Sequence, residues 1–314
     1  MHKDITIYDL ARELNLSPAT VSRGLKDHKA INKNTKKRIV EKAEEMGYRF
    51  NSFASNLRKK KTNTIGVIIP RLNSHFVSTV LAAMEKVAND SGYNIIISQS
   101  MESMQKEQVN AKTMFDNRVD GLLVSLAYDT ENIEHFQRFI NRKIPLIFFD
   151  RVYDGDDSVS VVIDNQKNAY DLTRHLADQG CKRIMHITGN LKRNVYRERL
   201  KGYKEALKDA GLGFSDELLL ISELNEQAGA EAAEKILAMK TLPDAIFVSN
   251  DVCAASCMRV LKSNGIRIPK DIAVAGFNND PISRIVEPNI TTVNYPAYQM
   301  GEMAATHLIN HLNG

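Results

Sequence analysis

TIYDLARELNLSPATVSRGL, residues 6–25, reads as two short helices joined by a tight turn. Thr6 can cap the first helix, and Asp9 stands at the capping-box distance, although Glu or Gln is the usual partner there. Ile7, Leu10, Ala11 and Leu14 fall on one face, the pattern of a helix with a single buried side. Asn15-Leu16 makes the turn. Ser17 caps the second helix, and Pro18 takes the first-turn position, where a missing N–H costs nothing. A third helix is expected from Asn32 to Met46. Asn32 is its cap, Ile39, Val40, Ala43 and Met46 its apolar stripe, and Gly47 a left-handed stop.

The charge around this stretch is one-sided. Residues 1–62 hold 15 Lys/Arg against 7 Asp/Glu, while the rest of the chain holds 27 against 31. A basic head on a slightly acidic body is expected where only the head meets a polyanion. A solvated basic tail is the alternative, but tails lack such helical patterning. Three short helices with this charge are a helix-turn-helix module, whose second helix would enter the major groove of DNA. Its first residues, Ser17 to Arg23, mix phosphate-binding hydroxyls with small apolar groups. Val21 and Leu25 should face inward. Arg23 is the one side chain there able to hold guanine through two hydrogen bonds, whereas Pro18 and Ala19 offer only apolar contact, for example to a thymine methyl.

Together with TKKRIVEKAEEMGYRFN at 35–51, this stretch resembles the headpiece of the LacI/GalR family of bacterial regulators. Thr20-Val21-Ser22-Arg23 and Gly47-Tyr48 stand at that family's spacing, and the resemblance extends over essentially the whole chain. Candidate DNA contacts are Thr6, Ser17, Pro18, Ala19, Thr20, Ser22, Arg23 and Asn32. Residues 51–63 form a hinge long enough for two helical turns, too short to be stable alone in water. The resemblance implies that it becomes helical on DNA, with Leu57 wedged into the minor groove, at a cost of a few kcal/mol offset by contacts to the bent duplex. Packing under the headpiece is the plainer role for Leu57. Arg58 and Lys59 to Lys61 would track phosphates.

From Thr64 onward, apolar strand-like runs alternate with amphipathic helices. One series reads IGVII (65–69), NIIIS (94–98), GLLVS (121–125) and PLIFF (145–149). A second reads SVVI (160–163), RIMHIT (183–188), LLLI (218–221), AIFV (245–248) and IAVAGF (272–277). Near-continuous apolar strands imply parallel sheets buried on both faces, and two series imply two doubly wound subdomains, an α/β sensor resembling periplasmic binding proteins. The expected division is a headpiece at 1–50, the hinge at 51–63 and an effector-binding and dimerisation domain at 64–314. That domain splits into about 64–159 plus 296–314, and 160–295. The last helix, roughly Pro296 to Leu312, would return to the first subdomain if the family's crossover holds.

Ligands of such sheets bind beyond the carboxyl ends of the strands. The resemblance places sugar or nucleobase contacts at Phe76, Asp150, Arg151, Arg199, Asn250, Asn278 and Tyr295, and the residue types suit that task. Aromatic faces stack on sugar rings, while carboxylate, amide and guanidinium groups bond hydroxyls directionally. Each has a plainer reading. Asn250, Asp251 and Asn278 are placed to cap helices, Arg199 to pair on the surface or between subdomains and Asp150 to form an internal salt bridge. Asn278 stands where many sugar-responsive relatives have aspartate, and Tyr295 where many have glutamine. The lost negative charge would suit a phosphorylated or acidic sugar better than a simple neutral one.

Other chemistries find little support. Cys181, Cys253 and Cys257 are too few for a disulfide framework and fit a reducing cytoplasm. Cys253 and Cys257, four apart, make a poor zinc pair and read as small buried residues. The histidines at 75, 135, 175, 186, 307 and 311 show no metal spacing, and phosphate-loop and nucleophile-elbow motifs are absent. No run approaches the length of a membrane span, and the charged start is unlike a signal peptide. A solute-binding protein would need an export signal and no headpiece, and a recombinase a catalytic serine or tyrosine with an arginine cluster. The expected protein is therefore a cytoplasmic, non-enzymatic, cofactor-free transcription regulator of the repressor type. It would act as a homodimer on a near-palindromic double-stranded DNA operator and answer to a sugar-like effector, with no membrane partner. Relatives continue past the last helix into a strand and tail, so a chain stopping at Gly314 is expected to be truncated or to lack that strand. No leucine-heptad tail supports a tetramer.

Overall fold

The computed structural model describes residues 5–48, 61–153 and 159–314. Its contacts divide the chain into two units, Met1–Thr62 and Asn63–Gly314.

In the first unit, α1 (Ile7–Leu14), α2 (Pro18–Leu25) and α3 (Lys33–Glu45) follow their caps. Thr6 and Asp9 close a reciprocal capping box, Ser17 accepts from the Thr20 N–H, and Asn32 accepts from the Thr35 N–H. Asn15 and Gly47 take left-handed conformations at the helix ends. Leu10, Ala11, Leu14, Val21, Ile39 and Ala43 make the core, with Leu25 and Met46 packed against it. Val40 departs from the expected stripe and is exposed. It stands about 100° around α3 from Ile39, off the stripe that Ile39 and Ala43 bury.

The second unit holds two five-stranded sheets, parallel throughout. The first lobe runs β1 (Thr64–Ile69), α4 (His75–Asp90), β2 (Asn94–Gln99), α5 (Met104–Asp116), β3 (Gly121–Val124), α6 (Gln137–Asn141), β4 (Leu146–Phe149) and β5 (Val159–Val161). The second runs α7 (Asn165–Asp178), β6 (Ile184–Thr188), α8 (Asn194–Asp209), β7 (Leu219–Ile221), α9 (Glu226–Leu237), β8 (Ala245–Val248), α10 (Asp251–Ser263), β9 (Ala273–Asn278), α11 (Ile282–Ile285) and β10 (Thr291–Asn294). The strand orders, β2-β1-β3-β4-β5 and β7-β6-β8-β9-β10, are the same doubly wound order used twice. The final helix, α12 (Ala297–Asn313), packs on α4 and on strands of the first sheet.

Two sequence expectations need correction. SVVI does not open the second series. Val159 pairs with Ile147 and Val161 with Phe149, which makes β5 the last strand of the first sheet. Apolar content alone cannot say which sheet a short strand joins. The chain instead enters the second lobe with α7. NIIIS is not buried on both faces either: Ile96 and Ile97 are 37% and 39% exposed, because β2 is an edge strand.

Helices pair through close backbone contacts. A Cβ on Gly202 of α8 would stand 2.0 Å from the Gln166 carbonyl oxygen of α7, and one on Gly301 of α12 would stand 2.3 Å from the Val80 carbonyl oxygen of α4. Cys253 and Cys257 are buried in the second lobe. No helix among the described residues is long and apolar enough to cross a membrane.

Candidate functional site

The headpiece presents the first turns of α2 outward. Ser17, Ala19 and Arg23 are exposed and Pro18, Thr20 and Ser22 half-buried, while Val21 and Gly24 face the core. The caps fix this surface: Ser17 Oγ takes the Thr20 N–H at 3.1 Å and lies 2.8 Å from the Thr20 hydroxyl. Lys36 holds the loop after α2 by donating to the Asp27 carboxylate at 2.6 Å and to its carbonyl. Thr6 and Asn32, both exposed, are the other two caps. A helix N-terminus with exposed polar caps is a ready anion site, which suits phosphate. Leu57 and Arg58 lie outside the described residues.

In the sensor, the carboxyl ends of strands from both sheets meet at a cavity of about 400 Å³. Phe76, Asp150, Arg151, Arg199, Asn250, Asn278 and Tyr295 all line it. Four positions there at or just beyond strand ends, Glu102, Asp150, Leu224 and Asn278, have positive φ of 63°, 58°, 56° and 115°. Such conformations are disfavoured for residues other than glycine and cluster at functional sites.

Arg199 is buried among polar and aromatic groups. Its Nε donates to Asn165 Oδ1 at 2.9 Å and one Nη to the Ser249 carbonyl at 3.0 Å. Its guanidinium lies 3.6 Å from the Phe277 centroid. Both hydrogen bonds therefore stay within the second lobe, on the cavity wall, and run neither across an open surface nor between the lobes. Asp150 is buried, accepts from the Tyr295 hydroxyl at 2.7 Å and makes no short salt bridge among the described residues. Burial pushes its carboxyl above the ordinary aspartate range, against the pull of Arg151, Tyr295 and Arg199. Arg151 donates to Glu102 at 2.7 Å and to the Tyr196 hydroxyl at 3.0 Å. Glu102 also meets Arg71 at 3.5 Å, and Arg71 reaches Glu223 across the cavity at 3.9 Å.

The capping reading holds for Asn250, whose Oδ1 accepts from the Val252 and Cys253 N–H groups at the start of α10, although the residue also lines the cavity. Asp251 lies behind it. Its carboxylate takes the Asp280 N–H and the Thr292 hydroxyl at 2.7 Å each and ties α10 to the ends of β9 and β10. Asn278 lines the cavity, and its carbonyl accepts from the Tyr295 N–H at 3.4 Å.

Sequence reasoning passed over Arg71, Glu102, Tyr196 and Glu223, which line the same space. Arg71, Glu102 and Glu223 sit just beyond β1, β2 and β7, so the strand-end rule applied to every strand would have found them. Tyr196 precedes Arg199 by one helical turn. Contacts between the lobes frame the cavity. Tyr128 donates to the Ser222 carbonyl at 2.8 Å and accepts the Asn190 N–H at 2.7 Å. Asn194 bonds both the Val152 N–H and the Asp150 carbonyl at 3.0 Å.

Residues 6–51 match the family described as bacterial regulatory proteins, lacI family, and residues 173–314 match the periplasmic binding protein-like domain. The chain is 33% identical over 311 residues to catabolite control protein A of Priestia megaterium, an alignment covering 99% of this chain and 93% of the relative. It is 27% identical over 309 residues to the ribose operon repressor of Haemophilus influenzae, covering 98% and 92%. Among solved structures, the lac repressor dimer bound to operator and the anti-inducer ONPF aligns with a TM-score of 0.88 at 24% identity, over 99% of this chain and 94% of that one. At that identity the likeness shows the fold.

Proposed function

The chain belongs to the lacI family of bacterial regulatory proteins, and from that premise we propose a repressor whose grip on DNA is set by a small sugar-like effector in the interlobe cavity. One observation carries the reading. Seven residues chosen from sequence line a single cavity at the carboxyl ends of both sheets, in the same chain as a basic, capped helix-turn-helix. Phe76, Asp150, Arg151, Arg199, Asn250, Asn278 and Tyr295 are the residues proposed to build its effector site. The names of a ribose operon repressor and of a CelR–cellobiose complex among its relatives support a carbohydrate. The lining offers arginines 71, 151 and 199 against carboxyl groups at 102, 150, 223, 226 and 280. That balance favours a neutral polyhydroxyl ligand over the phosphorylated or acidic sugar that the Asn278 exchange suggested.

DNA contact is proposed for the exposed start of α2, with Arg23 reading a base and Thr6, Ser17, Thr20, Ser22 and Asn32 meeting phosphates. The proposed domains remain a headpiece at 1–50, a hinge at 51–63 and a sensor from 64, acting as a cytoplasmic homodimer without catalysis. One headpiece offers a small interface, and two related by a twofold axis would match a near-palindromic site. Effector binding would change the relative orientation of the lobes and so the spacing of the two hinges. A coupling of about 1–3 kcal/mol would alter operator affinity roughly 5–150-fold.

A carbohydrate panel screened by thermal shift tests the reading, because a ligand that binds only the folded chain raises its melting temperature by mass action. At least one neutral sugar or oligosaccharide should raise it and change operator affinity in parallel. A compound that shifts melting but never operator binding would remove the regulatory role from the cavity.

A further inference from the structure

Aromatic residues in a sugar cavity are expected to offer their faces to a ligand. Here two of them face each other. The Phe76 and Tyr295 rings are stacked, 7° from parallel, with centroids 4.6 Å apart. They are only 7% and 4% exposed. The Tyr295 hydroxyl donates to Asp150 Oδ1 at 2.7 Å, so the buried carboxylate best placed to accept a ligand hydroxyl already accepts one. The Arg199 guanidinium lies 5.7 Å from the Tyr295 centroid, and Phe277 meets the ring at a steep angle at 6.0 Å. A flat ring, stacked on an aromatic face, with its hydroxyl on a buried carboxylate and a guanidinium nearby, is the arrangement a bound sugar or base would take. The chain supplies that ring itself.

We propose that Tyr295 is a built-in occupant of the inner effector subsite, excluding free monosaccharides from Asp150 and confining the effector to the outer cavity. This rests on the reading of the cavity as the effector site. The outer part remains polar, with Arg71, Glu102, Asn250 and Asn278 among its lining. The position of Tyr295 in the chain adds a second consequence. It stands on the return crossing between β10 and α12, so its ring and hydroxyl fasten that crossing to α4 and to the end of β4. The tyrosine thus joins the crossing to the first lobe, with Arg199 and Phe277 of the second lobe near the same ring.

The test compares the full-length chain with Tyr295→Gln and Tyr295→Phe by calorimetric titration with free ribose, glucose and galactose. Glutamine removes the ring and leaves space, while phenylalanine keeps the ring and loses the hydroxyl. Tyr295→Gln is expected to bind at least one of these sugars about tenfold or more tightly than the unaltered chain. Tyr295→Phe should still refuse them, which separates the space-filling ring from a general loosening of the lobes. Equal binding by the unaltered chain and Tyr295→Gln would overturn the proposal. So would refusal of all three sugars by a Tyr295→Gln protein whose melting transition stays cooperative. Failure of the underlying reading looks different: an effector found by its action on operator binding would then still act on an Asn250→Ala/Asn278→Ala double variant. If only the Tyr295 assignment fails, that double variant loses the response while Tyr295→Gln still refuses the monosaccharides.

Discussion

The Arg199 guanidinium lies over the Phe277 ring, its central carbon 3.6 Å from the centroid, while its nitrogens bond Asn165 and the Ser249 carbonyl. A planar fork can do both at once, whereas the point charge of a lysine cannot. Arg199→Lys is therefore expected to weaken effector binding and the response at operator DNA, and Arg199→Ala to abolish both. Non-specific DNA binding should persist in each, since the headpiece folds around its own core. Unchanged effector affinity in titration calorimetry of Arg199→Ala would remove this arginine from the effector site.

Arg23 is expected to specify bases. It is exposed on α2 beside Ala19, which has no side-chain donor. Arg23→Ala should cost about 1–3 kcal/mol on the preferred site and relax the preference at one base pair. Competition binding on single-base variants of the operator measures this. Equal losses on specific and random DNA would reassign Arg23 to the phosphates.

The α7–α8 crossing predicts a stability effect remote from both sites. A methyl on Gly202 meets backbone, the Gln166 carbonyl oxygen at 2.0 Å and the Tyr170 nitrogen at 2.8 Å, and backbone cannot rotate away. Gly202→Ala should destabilise the sensor by about 1–3 kcal/mol through overpacking. Urea unfolding with a near-wild-type midpoint would contradict this spacing of the two helices.

His186 makes the sensor acid-sensitive. It is fully buried between Tyr203 and Phe247, and burial pulls its imidazole down to about 3. Unfolding raises that value to the ordinary range near 6.5, so between about pH 6.5 and 3 the unfolded chain binds the extra proton. Its contribution to stability is whole above pH 6.5 and is lost as pH falls, by at most about 1.4 kcal/mol per unit. Asp251, pushed up to about 7 by burial, acts in the opposite direction, since its folded form holds the extra proton between about pH 4 and 7. The two are separated by comparing unfolding free energies of the unaltered chain and His186→Phe at several pH values. The variant should lose less stability on acidification, and parallel curves would contradict the assignment.

Local signals in the sequence were strong where a backbone rule has one answer. Thr6, Ser17 and Asn32 announce helix starts because their side chains complete orphan N–H groups. The apolar strands are legible because parallel sheets are covered on both faces. The sheet to which Val159–Val161 belongs was not legible, because pairing with β4 is a long-range choice that three apolar residues do not encode. In the cavity, strand-end polarity and family likeness point to residues one at a time. They are silent on how those residues partner. That Tyr295 stacks on Phe76, or that Glu102 sits between Arg71 and Arg151, depends on the ends of different strands meeting, which no local pattern records.

Operator recognition under effector control is the central proposal, and one titration reaches it. DNA selected from a random pool by the full-length chain is labelled, and binding is followed by anisotropy at fixed salt with and without the carbohydrate that raises the melting temperature. The selected sites should be near-palindromic and bind at least about 10³-fold more tightly than random DNA. The carbohydrate should change that affinity by roughly 5–150-fold while leaving random-DNA binding unchanged. Equal affinity for selected and random DNA, or a selected site indifferent to every cavity ligand, would contradict it.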